Sequence, residues 1–205
     1  MMSITKSIKL LLLSLFVFAE GENNKIFLGV DISGSFFKFA PEAVEQLLKT
    51  KILSNETKGK RNLSFTLIRI DDETNLDDIL YSSEYSRFNS LLHQIQKTKK
   101  FLKGAQRLIA SSNPSPRTDF LGFFQVVAQK SSPDDNVTLL VLSDGIHNTP
   151  PKNSFEMLKR INGKKKLVLV TNGAQYLNDR WQKSLNDAGF TTEIYTIEML
   201  QFNTK

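Results

Sequence analysis

The chain has 205 residues, of which 40% are hydrophobic and 23% charged, which fits one globular domain and excludes a disordered or fibrous chain. It contains no cysteine, so disulfide bonds are excluded. The formal net charge is +6, but the basic residues form short clusters without the interleaved aromatic residues typical of single-strand binders. We therefore expect no nucleic acid partner, and at most a mild preference for acidic partners.

Residues 1–19 have the pattern of a secretory signal peptide. Lys6 and Lys9 precede an apolar run from Leu10 to Ala19, and polar residues follow. The run is shorter than the roughly 20 residues that span a bilayer. We expect cleavage after Ala19, or as late as Gly21; a buried core helix is the alternative. Export without cysteine favours a secreted or periplasmic protein, of bacterial origin, that is not an integral membrane protein after cleavage.

The remaining chain, which we expect to fold as one domain over residues 25–200, alternates strand-like and helix-like segments. Strands are predicted at 26–30, 63–70, 79–85, 137–142, 166–170 and 191–197. Helices are predicted at 40–50, 90–110, 120–129, 153–161 and 174–188. This alternation predicts an α/β fold: a doubly wound, mostly parallel sheet with helices on both faces.

Oxygen-bearing side chains follow two of the predicted buried strands. Asp31, Ser33 and Ser35 come directly after strand 26–30, and Asp144 follows strand 137–142. In sheets of this class, ligands bind beyond the carboxyl ends of the strands, where the strand order reverses. The two carboxylates would meet there if their strands are neighbours. Hard oxygen ligands of this kind suit a divalent cation such as Mg²⁺.

With Thr118 at the start of an apolar helix, these residues resemble the metal-ion-dependent adhesion site (MIDAS) of von Willebrand factor type A domains. The motif is Asp31-x-Ser33-x-Ser35, then Thr118, then Asp144 before a glycine. The resemblance covers essentially the whole mature chain, and it implies the sheet order 3-2-1-4-5-6 with one antiparallel edge strand. It also implies that the three hydroxyls bind the metal and that the two carboxylates bind it directly or through water.

The resemblance further implies the cofactor and the kind of partner. The cofactor is Mg²⁺, with Mn²⁺ or Ca²⁺ as alternatives, and an Asp or Glu of a partner protein completes its coordination. The residues expected at the partner-binding rim are Arg117, Asp119, Gly145 and His147. A solvated arginine and an ordinary loop histidine are the plainer interpretations of two of these, and Asp119 could hold the loop or the start of the following helix.

Other interpretations remain open from the residues alone. Ser33 and Ser35 could cap the following helix, while Asp144 makes a turn with Gly145, although this explains each motif separately and not all of them together. A Mg²⁺-dependent hydrolase or phosphatase is the main functional rival. Asp31, however, is followed by Ser33 where an Asp-x-Asp phosphatase has a second acid, and no phosphate loop or nucleophile elbow occurs. A scaffold or assembly subunit with a structural metal is the third candidate. We expect a binding module and not an enzyme.

Overall fold

The computed structural model describes residues 22–49, 52, 56, 60, 62–85, 91–144, 155–172 and 179–202. The predicted signal peptide lies outside the described residues. The strands are β1 Asn23–Asp31, β2 Asn62–Ile70, β3 Ile79–Tyr85, β4 Asn136–Leu142, β5 Lys165–Thr171 and β6 Phe190–Thr196. The helices are α1 Ala40–Lys49, α2 Leu91–Ser111, α3 Phe120–Lys130, α4 Glu156–Lys159, α5 Asp179–Asp187 and α6 Ile197–Phe202, with a 3₁₀ turn at Leu76–Asp78.

The six strands form one sheet in the order β3-β2-β1-β4-β5-β6. All neighbouring strands are parallel except β2 and β3, which are antiparallel. The predicted strand order and the antiparallel edge strand are therefore confirmed. The order reverses between β1 and β4, so the crevice expected in a doubly wound sheet lies at the carboxyl ends of these two strands.

Helices cover both faces of the sheet because each central strand is apolar on both sides. In β1, Ile26, Leu28 and Val30 point into a core shared with α1, α2 and α6. Phe27 points the other way, into a core shared with α3, α4 and α5. Strands buried on both faces form near-continuous apolar runs, which is why the central strands could be located from the sequence.

Two glycines allow α3 to pack closely beneath the candidate site. A Cβ on Gly29 would lie 2.8 Å from Cε2 of Phe123, so the bare backbone of β1 accommodates this ring. A Cβ on Gly122 would lie 2.0 Å from the carbonyl oxygen of Thr74. The first turn of α3 therefore packs directly against the backbone of the β2–β3 hairpin.

Several predicted elements differ from those observed at their ends, and hydrogen bonds explain two of these differences. The helix expected at 153–161 covers only 156–159, and residues 153 and 154 lie outside the described residues. The chain leaves this helix because the amide of Asn162 donates to the carbonyl oxygen of Pro133 at 2.6 Å. The last strand ends at Thr196, whose hydroxyl accepts a hydrogen bond from the amide of Met199 at 3.1 Å. That contact caps α6, so Ile197 begins a helix and does not end a strand.

We expect Gly122→Ala to destabilise the fold by about 1–3 kcal/mol, as overpacking of a tightly packed site usually does. Gly104→Ala is the matched control, because no atom lies within 4 Å of a Cβ at that position in α2. Replacing a helical glycine there should stabilise the protein by about 0.5–1 kcal/mol. Urea unfolding of both variants measures the difference, and an equal free energy of unfolding would contradict the packing described.

Candidate metal centre

Two buried carboxylates lie at the reversal of the strand order. Asp31 is the last residue of β1, and Asp144 lies two residues beyond β4. The register brings them together, since Val30 pairs with Leu142 in the parallel ladder. Asp31 is 0% exposed and Asp144 is 1% exposed. Two like charges therefore share one buried region, as the sequence predicted for neighbouring strands.

The loop after β1 presents two serine hydroxyls next to Asp31. The amide of Ile32 donates to the carbonyl oxygen of Ile70 at 3.0 Å, which prolongs the pairing of β1 and β2 past the strand end. Phe36, fully buried, anchors the far side of the loop. The hydroxyl oxygens of Ser33 and Ser35 lie 3.3 Å apart, the first on a buried residue and the second on an exposed one.

Thr118 enters the same region from the loop between α2 and α3. Its hydroxyl lies 3.3 and 3.4 Å from the two carboxylate oxygens of Asp31. Backbone hydrogen bonds fix this loop on both sides. The amide of Ser115 donates to the carbonyl oxygen of Ile32 at 2.8 Å, and the amide of Asp119 donates to the carbonyl oxygen of Asp71 at 2.5 Å.

The carboxylate of Asp31 accepts hydrogen bonds from three segments of the chain. Besides Thr118, the amide of Ser33 donates at 2.7 Å and the hydroxyl of Ser143 at 2.5 Å. Burial raises the pKa of Asp31 above its usual value; the hydrogen bonds from Ser143 and Ser33 oppose this, and the charge of Asp144 adds to it. The ionised form is thus held in place at an energetic cost that a nearby cation would remove.

The residues present fit a divalent cation. Burying two neighbouring carboxylates is costly unless opposite charge compensates them. The nearby donors are hydroxyl and carboxylate oxygens, the ligands that Mg²⁺ and Ca²⁺ prefer. Among the described residues, no three His, Cys, Asp or Glu side chains are grouped so that they could hold a metal ion by themselves. The oxygens brought together at this site are instead those of two carboxylates and of the hydroxyls of Ser33, Ser35 and Thr118.

Of the four predicted rim residues, the structure describes Arg117 and Asp119. Arg117 is exposed beside Thr118. Asp119 accepts a hydrogen bond from the amide of Gly122 at 2.9 Å and so caps the N-terminus of α3. Gly145 and His147 lie outside the described residues, and their rim role stays a prediction.

Two residues that support the site were not assigned a role from the sequence. Ser143 was visible only as the end of a strand, yet the pairing of Val30 with Leu142 puts it beside Asp31. Ser115 lies in what the sequence shows as a proline-rich loop, where its backbone pairs with Ser33 in an isolated parallel bridge. Knowledge of the strand register would have revealed the role of Ser143. No local pattern in the sequence indicates the role of Ser115.

The backbone resembles solved structures of von Willebrand factor type A proteins along most of its length. One is a von Willebrand factor type A structure from Catenulispora acidiphila, with a TM-score of 0.56 and 10% identity over 90% of this chain and 42% of that one. The chain has the von Willebrand factor type A (vWA) fold. Among the described residues of this vWA fold, no helix has both the length and the apolar character needed to cross a bilayer.

A mussel protein offers a second comparison. Proximal thread matrix protein 1 of the mussel byssus has a TM-score of 0.54 and 14% identity, over 91% of this chain and 47% of that one. A further structure of it, with a zinc-occupied MIDAS motif, has a TM-score of 0.54 and 12% identity, over 90% and 45% of the two chains. This vWA chain spans less than half the length of each of these structures. No family model and no curated protein matches its sequence.

We expect Asp119→Ala to lower the free energy of unfolding by about 1 kcal/mol, because it removes the cap of α3. The loss should be the same with Mg²⁺ and with chelator. Asp119→Asn is the control, since asparagine caps helices about as well. A variant with unchanged stability but weaker binding of the partner would instead place Asp119 at the partner-binding rim.

Ser143→Ala should destabilise the chelated protein by about 1–3 kcal/mol near neutral pH, where it deprives an ionised, buried carboxylate of a donor. The pKa of Asp31 is higher in the folded protein than in the unfolded chain. As the pH rises between these two pKa values, the unfolded chain loses its proton first, so the free energy of unfolding falls. Below both values Asp31 is protonated, and the effect of the substitution should shrink. Urea unfolding at acidic and neutral pH measures this, and a loss that grows on acidification would contradict it.

Proposed function

We propose that the protein is an exported binding module that holds a divalent cation and uses it to bind an Asp or Glu of a partner protein. The cation is Mg²⁺, with Mn²⁺ or Ca²⁺ as alternatives. Its ligands are Asp31, Ser33, Ser35, Thr118 and Asp144. The observation that carries the proposal is the pair of buried carboxylates at the strand-order reversal, with three hydroxyls from two loops around them.

The charge balance of this ligand set explains why it would bind a partner and not merely store a metal. Two carboxylates match the charge of one divalent cation, and the three hydroxyls add none. Mg²⁺ takes about six oxygen ligands, so these five leave a position that an outside carboxylate can fill without displacing a protein anion. Ser35 is exposed while Asp31 and Ser33 are buried, so the cation would be reached from the Ser35 side.

A divalent cation is also supported by the zinc-occupied MIDAS motif of the mussel protein with the same fold. The predicted signal peptide at residues 1–19 and the vWA-like domain at 25–200 complete the proposal. Together they place the binding event outside the cytoplasm, in the periplasm or the medium.

An enzymatic role has less support from the geometry. In a Mg²⁺-dependent hydrolase, a side chain must attack the substrate or activate a water molecule. Asp31 is fully buried, and its carboxylate already accepts hydrogen bonds from Ser33, Thr118 and Ser143. A carboxylate held in this way is suited to charge compensation and poorly suited to nucleophilic attack.

Metal binding should be measurable as stabilisation of the whole protein. At a Mg²⁺ concentration one hundred times the dissociation constant, the free energy of unfolding should rise by about 2.7 kcal/mol. Asp144→Asn should abolish the gain, because it removes one of the two compensating charges. Asp134→Asn is the matched control, an exposed acid in the turn between α3 and β4. If Mg²⁺, Mn²⁺ and Ca²⁺ all leave the melting temperature of the wild-type protein unchanged, the proposed metal centre is wrong.

Partner binding is tested by capture from extracellular extract with Mg²⁺ and with chelator. We expect capture that chelator and Thr118→Ala both abolish and that Asp134→Asn preserves. If the partner is still captured in chelator while Mg²⁺ stabilises the protein, the result would favour the scaffold with a structural metal. Phosphatase turnover that requires Mg²⁺ and is lost in Asp31→Asn would favour the hydrolase.

A further inference from the structure

A cleft of about 530 Å³ opens beside the candidate metal centre. One wall is formed by Arg69, Asp71 and Asp72 of the β2–β3 region, together with Leu80 of β3. The rest of the lining is formed by Leu108 of α2 and by residues of the loop that leads to Thr118. We call this space the acidic cleft.

The acidic cleft is continuous with the candidate metal centre. Ile32 and Ser115 line it, and each lies next to the proposed ligands. Ile32 stands between Asp31 and Ser33 in the chain, while Ser115 pairs with the backbone of Ser33. A partner segment with its carboxylate on the cation would have neighbouring side chains at the mouth of this cleft.

The wall of the cleft has an excess of negative charge. In a chain with a net charge of +6, the segment 71–78 contains five acids and no base. Arg69 is an internal counterion, paired with Asp71 at 2.8 Å and with Asp78. Asp72 is exposed and forms no ion pair with any described residue. Only Asp71 and Asp72 of these acids line the cleft, and one cation against two carboxylates leaves one negative charge.

The pKa of Asp71 is raised above its usual value, chiefly by burial. Burial and then the charge of Asp78 raise its pKa, and Asp72 raises it further. The hydrogen bond from the amide of Glu73 and the charge of Arg69 lower it, but the net shift is upward. The charge of Arg69 therefore does not outweigh burial and the neighbouring carboxylates in setting the pKa of Asp71.

Apolar surface accompanies the negative charge. Leu80 is 42% exposed, one of three large hydrophobic side chains that are exposed among the described residues. Leu108 faces it from α2 and is half-buried. Long basic side chains combine an apolar stem with a charged head. The apolar stem of such a side chain would pack against Leu80 and Leu108, and its charged head would pair with the carboxylate of Asp72.

We infer that the acidic cleft binds an arginine or lysine side chain of the same partner segment whose carboxylate binds the cation. The inference rests on the proposed function. It adds a second determinant: the partner carries a basic residue near its metal-binding acid. Arginine fits best, because its planar head can donate to two carboxylate oxygens at once.

Random peptides displayed on phage provide the test. The whole processed protein is immobilised in Mg²⁺, and bound phage are released with chelator. Peptides enriched on the wild-type protein should contain an acidic residue and a basic one. On Asp72→Lys the acidic residue should remain, while the basic one falls to its frequency in the unselected library. Asp77→Lys is the control, an exposed acid of the same hairpin that does not line the cleft.

A peptide selected on the wild-type protein should bind Asp72→Lys about tenfold more weakly, as expected when a charged hydrogen bond is replaced by repulsion. Chelator-released peptides that have an acid but no excess of basic residues would overturn this inference and leave the proposed function standing. If a second acidic residue is enriched, the cleft binds that residue through Arg69, and this inference is again overturned. Equal weakening of peptide binding by Asp77→Lys would also overturn this inference, because the effect would then come from the general charge of the hairpin. If chelator releases no bound peptides at all, both proposals are overturned.

Discussion

The candidate site depends on how the carboxylate of Asp31 is held at the end of β1. Three donors reach it from three parts of the chain: the amide of Ser33 and the hydroxyls of Thr118 and Ser143. They join the first loop, the α2–α3 loop and the end of β4 around one buried charge. The hydrogen bonds fix one geometry for this carboxylate, but keeping it ionised costs free energy. The charge of Asp144 lies nearby, and burial disfavours ionisation. A divalent cation would offset that cost, which couples the stability of the domain to its binding chemistry.

Much of the fold was predictable because its signals are local. The apolar segments of β1 and β4 identify strands covered on both faces, and the edge strand 79–85 was found in place. Asp31 and Asp144 could be brought together because parallel strands end at the same edge of the sheet. The supporting contacts depend on register and loop pairing, which leave no periodic signal. For this reason the supporting roles of Ser143 and Ser115 were missed. Asp119 caps α3, one of the two roles that the sequence allowed it, and its place at the rim stays a prediction.

The β2–β3 hairpin has two roles that a sequence pattern would not separate. Its backbone positions the α2–α3 loop, through the carbonyl oxygen of Asp71, and seats the first turn of α3, through the close approach of Thr74 to Gly122. Its side chains form the charged wall of the acidic cleft. An acidic segment in a basic chain reads at first as a solvated turn. Because it packs against the loops that carry Ser33 and Thr118, it instead forms a wall beside the proposed binding site.

The same hairpin shows why the two binding determinants would act together. The backbone carbonyl of Asp71 holds the residue after Thr118, while its side chain pairs with Arg69 in the cleft wall. A ligand in the cleft and a ligand on the cation would therefore contact one rigid unit made of the hairpin and the α2–α3 loop. Because this unit is already held by backbone hydrogen bonds, little ordering entropy would be lost on binding. Specificity would then come from the spacing between the partner's acid and its basic residue, which the fixed distance from cation to cleft selects.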